Sequence, residues 1–429
     1  MPVETNVALL GYGTVGAAVD RLLAASADDI ERATGHRLRL VRALVRDRGR
    51  YPDAPAGLLT TEFDAIAGDP SIAVVAEVMG GLEPAGPYVL DLLSRGKHVV
   101  TANKQLVARR APELFAAAAA SGAQLRFEAS VCAAIPVIKV LREALVVTNV
   151  HGVLGIVNGT TNFVLTEMES GSTYADALAD AQARGYAEAD PADDVSGADA
   201  AAKMAILATV AFNTRVALED VDHTGITEID PIDVAAAREL EMVVRLVGAA
   251  RLVDGAYDVR VEPAFVDAQH PLAKVDGAFN AVMLQGDAIR EITLAGPGAG
   301  GVETASAIVA DIAGVLGTTG PQGDPVWREL PRLPPGDSRS PFYFRLFVED
   351  RPGTLAHVAE ILAHHEISVA RLVQHQDGSG ATLHVVTHEA AAGSLRDALD
   401  ELSALGEVRR RSRPVPVVSD RGVAELGWR

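Results

Sequence analysis

A short apolar run at residues 6–10 breaks into Gly11-Tyr12-Gly13-Thr14-Val15-Gly16 and resumes as a helical pattern through Ala17, Ala18, Val19, Leu22 and Leu23. This reads as strand, tight turn and helix. Glycine is needed at three of the turn positions for separate reasons. Gly11 makes the turn, Gly13 lets a pyrophosphate approach the backbone, and Gly16 lets helix and strand pack closely, with the helix N-terminus facing the phosphates. The motif alone is a weak signal, but its place directly after an apolar strand makes it a candidate dinucleotide site. Further strands are expected at residues 38–45, 73–79 and 97–101, with a helix that includes residues 88–93. Alternating units of this kind build a parallel sheet with ligands at the carboxyl ends of its strands. The expected second strand ends in Arg46-Asp47-Arg48, where an acid would bond the ribose hydroxyls of NAD. A guanidinium arriving first suits a 2′-phosphate, so NADP is favoured, with Asp47 leaving NAD open. Thr101 and Lys104 follow the 97–101 strand and fall at the cleft end of the sheet.

A second constraint comes from residues 185–203, which place five carboxylates and one lysine in a turn and helix start. Asp199 and Lys203 lie four apart before the apolar run 204–211, so on a helix they share a face. Such a pair is either proton-transfer machinery or a solvated surface ion pair.

At 429 residues the chain is too long for one core and suggests about two to four domains. Its net charge of −19 supplies no basic stripe for nucleic acid and no attraction to an anionic membrane surface, which leaves a small-molecule substrate as the expected partner. Cys132 is the single cysteine, so no internal disulfide forms. The start of the chain runs into an apolar strand after Glu4 without a basic segment or cleavage site, and no long uninterrupted apolar run appears, so the cytoplasm is the expected compartment.

The motifs taken together closely resemble homoserine dehydrogenases. The resemblance rests on residues 11–16, Met-Gly-Gly-Leu-Glu-Pro-Ala at 79–85, Val-Val-Thr-Ala-Asn-Lys at 99–104, Phe-Glu-Ala-Ser-Val at 127–131, Asn-Gly-Thr-Thr-Asn-Phe at 158–163 and the acidic block. It continues through His270-Pro-Leu-Ala, Gly286-Asp287 and Gly-Pro-Gly-Ala-Gly-Gly at 296–301. It implies an α/β architecture: a Rossmann-type nucleotide-binding domain (residues 1–136 and 296–325), an α+β catalytic and dimerisation domain (137–295) and a linker (326–341). A C-terminal ferredoxin-like ACT domain (342–415) and a tail (416–429) would follow. Within the middle domain, strands are expected at 146–150 and 152–157 and helices at 198–212 and 234–250.

The implied activity is reversible NAD(P)H-dependent reduction of L-aspartate 4-semialdehyde to L-homoserine, on the route to threonine, methionine and isoleucine. By the resemblance Lys203 donates the proton, Asp199 orients it and contacts substrate, Lys104 holds the carbonyl or carboxylate side, and Glu188 receives the substrate ammonium. Gly185 would lie against the nicotinamide, and Gly300 would join Gly11, Gly13, Thr14, Val15, Gly16, Arg46, Thr101 and Lys104 around the cofactor.

The turn at 128–135 resembles the family's monovalent-cation site, with Glu128 and the carbonyls of Val131, Ala133 and Ile135 around a sodium-like ion. This chain departs from the family's glycine-rich pattern there, and alanine at any position needing positive φ costs about 1 kcal/mol or more. Cys132 is expected to be a buried, inert thiol. Glu303 stands where the family often has proline.

After the proline-rich stretch 331–341, the order strand, helix, strand, strand, helix, strand is ferredoxin-like. Its Asp350-Arg351-Pro352-Gly353-Thr354-Leu355 turn resembles that of ACT domains, which opens a helix N-terminus to an amino-acid carboxylate. The implied effector is L-threonine at Asp350, Pro352, Gly353 and Leu355, and the implied assembly is a homodimer or homotetramer. The alternative to an enzyme is a non-catalytic sensor that kept both ligand-binding domains.

Overall fold

The computed structural model describes residues 2–317, 325–378 and 380–419. By mutual contact the chain divides into two compact units. The first comprises Met1–Val153, Ala200–Val221 and Phe279–Glu329, and the second Leu154–Asp199, Asp222–Ala278 and Leu330–Arg429.

In the first unit, β1 (Val3–Leu10) feeds through the glycine turn into α1 (Thr14–Ala25). It is followed by β2 (His36–Leu44), β3 (Leu59–Thr60), β4 (Ile72–Glu77), β5 (His98–Thr101) and β6 (Leu125–Arg126). These form one parallel sheet in the order β3-β2-β1-β4-β5-β6, the doubly wound dinucleotide-binding order. β4 reads Ile-Ala-Val-Val-Ala-Glu and is buried along almost its whole length, because a central parallel strand is covered on both faces. The helix Gly301–Gly317 packs Ala305, Ile308, Ile312 and Val315 into the same core as Leu9, Val19, Val74 and Val100. Residues 318–324 of the returning segment lie outside the described residues. An antiparallel hairpin, Phe279–Gly286 with Arg290–Pro297, precedes that helix.

The second unit holds a long antiparallel hairpin, Met242–Val253 with Ala256–Asp267. Its turn residues Asp254 and Gly255 both take positive φ (49° and 81°), as an Asp-Gly hairpin of the twist-matched kind requires. Sequence reasoning expected a helix over 234–250, and this is corrected. The helix is Pro231–Glu239, Glu241 reverses the chain at φ 61°, and a strand begins at Met242. The β-branched run Met-Val-Val-Arg-Leu-Val outweighs the helical spacing of the small residues around it. Arg245, fully buried in that strand, is held by Glu169 and by Asp276 at 3.0 Å.

The strand expected at 146–150 is also absent. Val146 and Val147 stand 71% and 87% exposed in a turn, and the strand is Val150–Ile156.

The C-terminal part of the unit runs Phe342–Glu349, Thr354–His364, Val369–Asp377, Gly380–Thr387, Ala392–Ala404 and Val408–Arg411, strands and helices in the expected order. The first strand is flanked by Gly380–Thr387 and Val408–Arg411, and Val369–Asp377 pairs outside Gly380–Thr387, all antiparallel. This is the ferredoxin-like arrangement. Two expectations about its ends change. The proline-rich linker is pinned, since Tyr257 exchanges backbone hydrogen bonds with Pro331 and Leu333, and Ser338 donates to Asp258 at 2.6 Å. Residues 416–418, assigned to a tail, belong to a strand, Val415–Val418, which pairs with Phe342–Tyr343 and with Phe265–Val266. Residues 420–429 of that tail fall outside the described residues.

Candidate active site

The glycine turn has the geometry its residues predict. Gly11 takes φ +105°, and a Cβ there would meet the Val78 carbonyl oxygen at 3.0 Å. A Cβ on Gly16 would lie 2.5 Å from the Gly11 carbonyl oxygen, so helix and strand touch through glycine. Gly13 has nothing within 4 Å of where its Cβ would be, which leaves the backbone open to a pyrophosphate. Thr14 and Val15 open α1, whose first N–H groups lack partners within the helix. Gly301 closes on Thr14, 3.0 Å from Cβ position to methyl. Gly300 has φ +134°, and its Cβ position is 2.0 Å from the Glu303 carboxylate, so Glu303 fills the space a side chain at 300 would need.

At the end of β2, Arg46 is exposed. The Asp47 carboxylate is engaged in its own turn, accepting the Gly49 N–H at 2.8 Å. The exposed cation at this strand end therefore stands beside an acid that also caps its own turn.

The ends of β4 and β5 are joined by a residue that sequence reasoning passed over. Glu77, fully buried, accepts from Met79 N–H at 2.8 Å, Gly80 N–H at 3.1 Å and Thr101 hydroxyl at 2.6 Å. Burial pushes its carboxyl up, while these donors pull it back. Asn103 caps the helix Lys104–Ser121 by accepting from Leu106 N–H, and its amide donates to the Gly81 carbonyl at 2.6 Å. Lys104 thus begins a helix whose entry is fixed on both sides. The available signal was an acid closing an otherwise apolar strand.

In the acidic block, Asp199 and Lys203 lie on the helix Ala198–Phe212, 5% and 9% exposed. Burial at that level removes the solvated-surface reading of the pair. Asn158 holds the block together, its amide donating to Asp194 at 2.7 Å and Asp199 at 2.9 Å while its carbonyl caps the helix Gly159–Glu169. Asn158 was read as part of a motif and not as a site residue; its place at a strand-to-helix junction was the missed signal. Gly185 turns at φ +76° and, like Glu188, is exposed. Their turn is anchored by Thr160, whose hydroxyl donates to the Tyr186 carbonyl at 2.6 Å, and by Gln182, whose amide donates to the Glu188 carbonyl.

The 128–135 turn is a separate cluster. The two Glu128 oxygens accept the N–H groups of Ile138 and Lys139 at 2.8 Å each, and its own N–H donates to Asp311. Burial raises the carboxyls of Glu128 to about 7 and of Asp311 to about 6. Ala133 does adopt positive φ, 42°, the strained setting foreseen for a non-glycine residue, and the Ile135 carbonyl accepts from Val137 N–H at 2.8 Å. The donors offered by Glu128, Val131, Ala133 and Ile135 are all oxygen, which suits a hard cation, and two buried acids side by side would gain from one. Cys132 is fully buried, as expected.

In the C-terminal turn, Gly353 takes φ +99° ahead of Thr354–His364, Leu355 is 43% exposed, and the Asp350 oxygens accept from the side-chain amides of Gln374 and Gln376 at 3.3 Å. Pro352 sets the chain between them.

Residues 11–128 match the NAD-binding domain of homoserine dehydrogenase, 136–313 match homoserine dehydrogenase, and 342–407 match the ACT domain. The homoserine dehydrogenase of Mycobacterium tuberculosis H37Rv is 42% identical over 94% of this chain and 95% of its own. The chain belongs to the homoserine dehydrogenase family. That of Synechocystis is 37% identical over 97% of this chain and its own full length. The crystal structure of homoserine dehydrogenase from Thiobacillus denitrificans superposes with a TM-score of 0.92 at 38% identity, covering 97% of this chain and 98% of that one. A hyperthermophilic archaeal homoserine dehydrogenase in complex with NADPH gives 0.63 at 28% identity, covering 75% of this chain and all of that one. The protein is therefore an NAD(P)-dependent oxidoreductase of amino-acid biosynthesis with a Rossmann-type domain and a C-terminal ACT domain. Among the described residues, no helix is long and apolar enough to cross a membrane.

Proposed function

We propose that this homoserine dehydrogenase reduces L-aspartate 4-semialdehyde to L-homoserine, reversibly, with NADP(H) preferred. When bound, the nicotinamide supplies the hydride that turns the aldehyde carbon into an alkoxide carbon. The developing negative oxygen then needs a cation beside it and a proton to quench it. Lys203 gives that proton, since an ammonium is an acid at neutral pH, and takes it back in the reverse direction. Asp199, fixed by Asn158, orients Lys203 and touches substrate. Lys104 holds the carbonyl or carboxylate side, and Glu188 receives the ammonium.

The cofactor would be held by Gly11, Gly13, Thr14, Val15, Gly16, Thr101, Lys104, Gly185 and Gly300, with Arg46 on the 2′-phosphate. Glu128 with the carbonyls of Val131, Ala133 and Ile135 would hold a monovalent cation. L-Threonine received at Asp350, Pro352, Gly353 and Leu355 would inhibit the enzyme. Functionally the chain divides as residues 1–136 with 296–325, 137–295, and 342–415, working as a cytoplasmic homodimer or homotetramer.

The observation that carries the reading is the near-complete burial of both Asp199 and Lys203 on one helix, with Asp199 clamped by Asn158. The test is L-homoserine-dependent reduction of NADP⁺, with NAD⁺ and added L-threonine as parallel arms. Turnover faster with NADP⁺ and slowed by threonine is expected. In Lys203→Ala, kcat should fall at least about 100-fold with cofactor binding intact. Folded protein that turns over neither cofactor in sodium and potassium would instead be the non-catalytic sensor.

A further inference from the structure

Two helices of the first unit begin side by side. α1 starts at Thr14 and the returning helix at Gly301, and a Cβ on Gly301 would lie 3.0 Å from the Thr14 methyl. From there both pack into one core, Val19 and Leu23 of α1 with Ala305, Ile308 and Ile312 of the other. A helix N-terminus carries about half a positive charge on N–H groups that have no partner inside the helix. About one positive charge therefore gathers where the two starts meet, beside the glycine turn that Gly13 leaves open.

The two starts differ in one respect. The first turn of α1 holds no acid and its cap makes no side-chain hydrogen bond, so its field is left for a ligand. The first turn of Gly301–Gly317 holds Glu303. A glutamate at the third helical position can fold back over the residue before the helix. Glu303 does so, its carboxylate reaching 2.0 Å from where Gly300, at φ +134°, would carry a Cβ. Only glycine at 300 leaves it that room. Glu303 is partly buried there and makes no hydrogen bond or ion pair among the described residues.

Its single negative charge offsets about what the two helix ends supply. The diphosphate of a dinucleotide is itself anionic and would meet a helix end already neutralised. Like-charge repulsion over a few ångströms in a solvated cleft amounts to a factor of about three to ten in affinity.

We propose that Glu303 is an internal anion that competes with the cofactor's diphosphate for the N-terminus of Gly301–Gly317. It loosens the binding of NADP(H) and speeds its exchange, which matters wherever cofactor departure limits turnover. The proposal rests on the reading that the dinucleotide lies along Gly11–Gly16 and Gly300.

The experiment titrates NADP⁺ and NADPH into the full chain by nicotinamide and protein fluorescence, and follows melting with and without NADP⁺. The parent is compared with Glu303→Gln, which removes the charge and keeps the shape, with Glu303→Ala, which removes the side chain, and with Gly13→Ala as the site control. Both Glu303 variants should bind NADP⁺ about three- to tenfold more tightly at low salt. NADPH should leave them more slowly by a similar factor. The gap from the parent should narrow to about twofold or less near 1 M KCl, where screening acts within about 3 Å. Without cofactor the variants should melt about 1 °C lower, the loss of an acid at a helix N-terminus, while the rise on adding NADP⁺ becomes larger. A purely structural cap would lower the melt and leave the cofactor constants where they were. Unchanged or weaker binding in both Glu303 variants, with binding impaired in Gly13→Ala, overturns the proposal and leaves the cofactor site standing. Tightening in Glu303→Gln alone, or tightening that salt does not diminish, also overturns it, because relief of charge is then not the cause. Affinity unchanged in all three variants removes the proposal and the placement of the diphosphate together.

Discussion

Glu128 shows how one buried acid links stability and pH. Its carboxyl is raised to about 7 by burial, above the ordinary glutamate value, so folding favours the protonated form. The stability this contributes is fully present below the unfolded pKa, near 4.3, and is lost as pH rises through about 7. The cation proposed at the turn would restore part of it by compensating the charge. Sodium or potassium is therefore expected to raise the melting temperature of the protein by about 2 °C or more at pH 8 and by much less at pH 5. Glu128→Gln should remove that salt-specific gain. Equal shifts at both pH values, or in both proteins, would detach Glu128 from cation binding. Differential scanning calorimetry with tetramethylammonium as the ionic-strength control reads this directly.

At the scale of elements, the turn between β1 and α1 separates two uses of glycine. Gly16 is a packing glycine, since its Cβ would fall on the Gly11 backbone, whereas Gly13 faces open space at φ −74°. Gly13→Ala should melt within about 1 °C of the parent, because nothing in the fold meets the added methyl and φ is permitted. Its KM for NADP⁺ should nonetheless rise about tenfold or more, because the methyl occupies the pyrophosphate's approach. Gly16→Ala should lower both stability and cofactor affinity. An unchanged KM in Gly13→Ala would place the phosphates elsewhere.

On the scale of the whole molecule, the strand Val415–Val418 connects the hairpin strand Ala256–Asp267 to the C-terminal sheet, burying Val415 and Val417 to 7% exposure each. Each buried valine is worth about 1.5–3 kcal/mol, and the ladder bonds add to this. Ending the chain after Arg413 should lower the melting temperature by about 5 °C or more, measured by calorimetry on the otherwise complete protein. A melt unchanged by the truncation would mean that the two sheets hold together without this strand.

Much of the molecule was legible in the linear chain because the deciding physics is local. The glycine turn, the parallel alternation that follows it, the Asp199–Lys203 spacing and the ferredoxin-like order of the C-terminal part each follow from neighbours within a few residues. So does the helix Ala198–Phe212, found with the bounds its sequence pattern predicts. What needed the tertiary structure is long-range. Residues 242–250 carry both a helical spacing and a β-branched run, and only a partner strand, turned back by Asp254-Gly255, decides between them. Residues 416–418 have no pattern of their own and become a strand because two edges are offered to them. Glu77 and Asn158 look ordinary in sequence, and their importance comes from donors and acceptors 24 to 41 residues away. Arg345 reads as one charge on a strand, and its pairing with Asp230 exists only because segments more than 100 residues apart meet. Local sequence sets backbone preference and the chemistry on offer, while burial and partnership, which give that chemistry its strength, are properties of the folded chain alone.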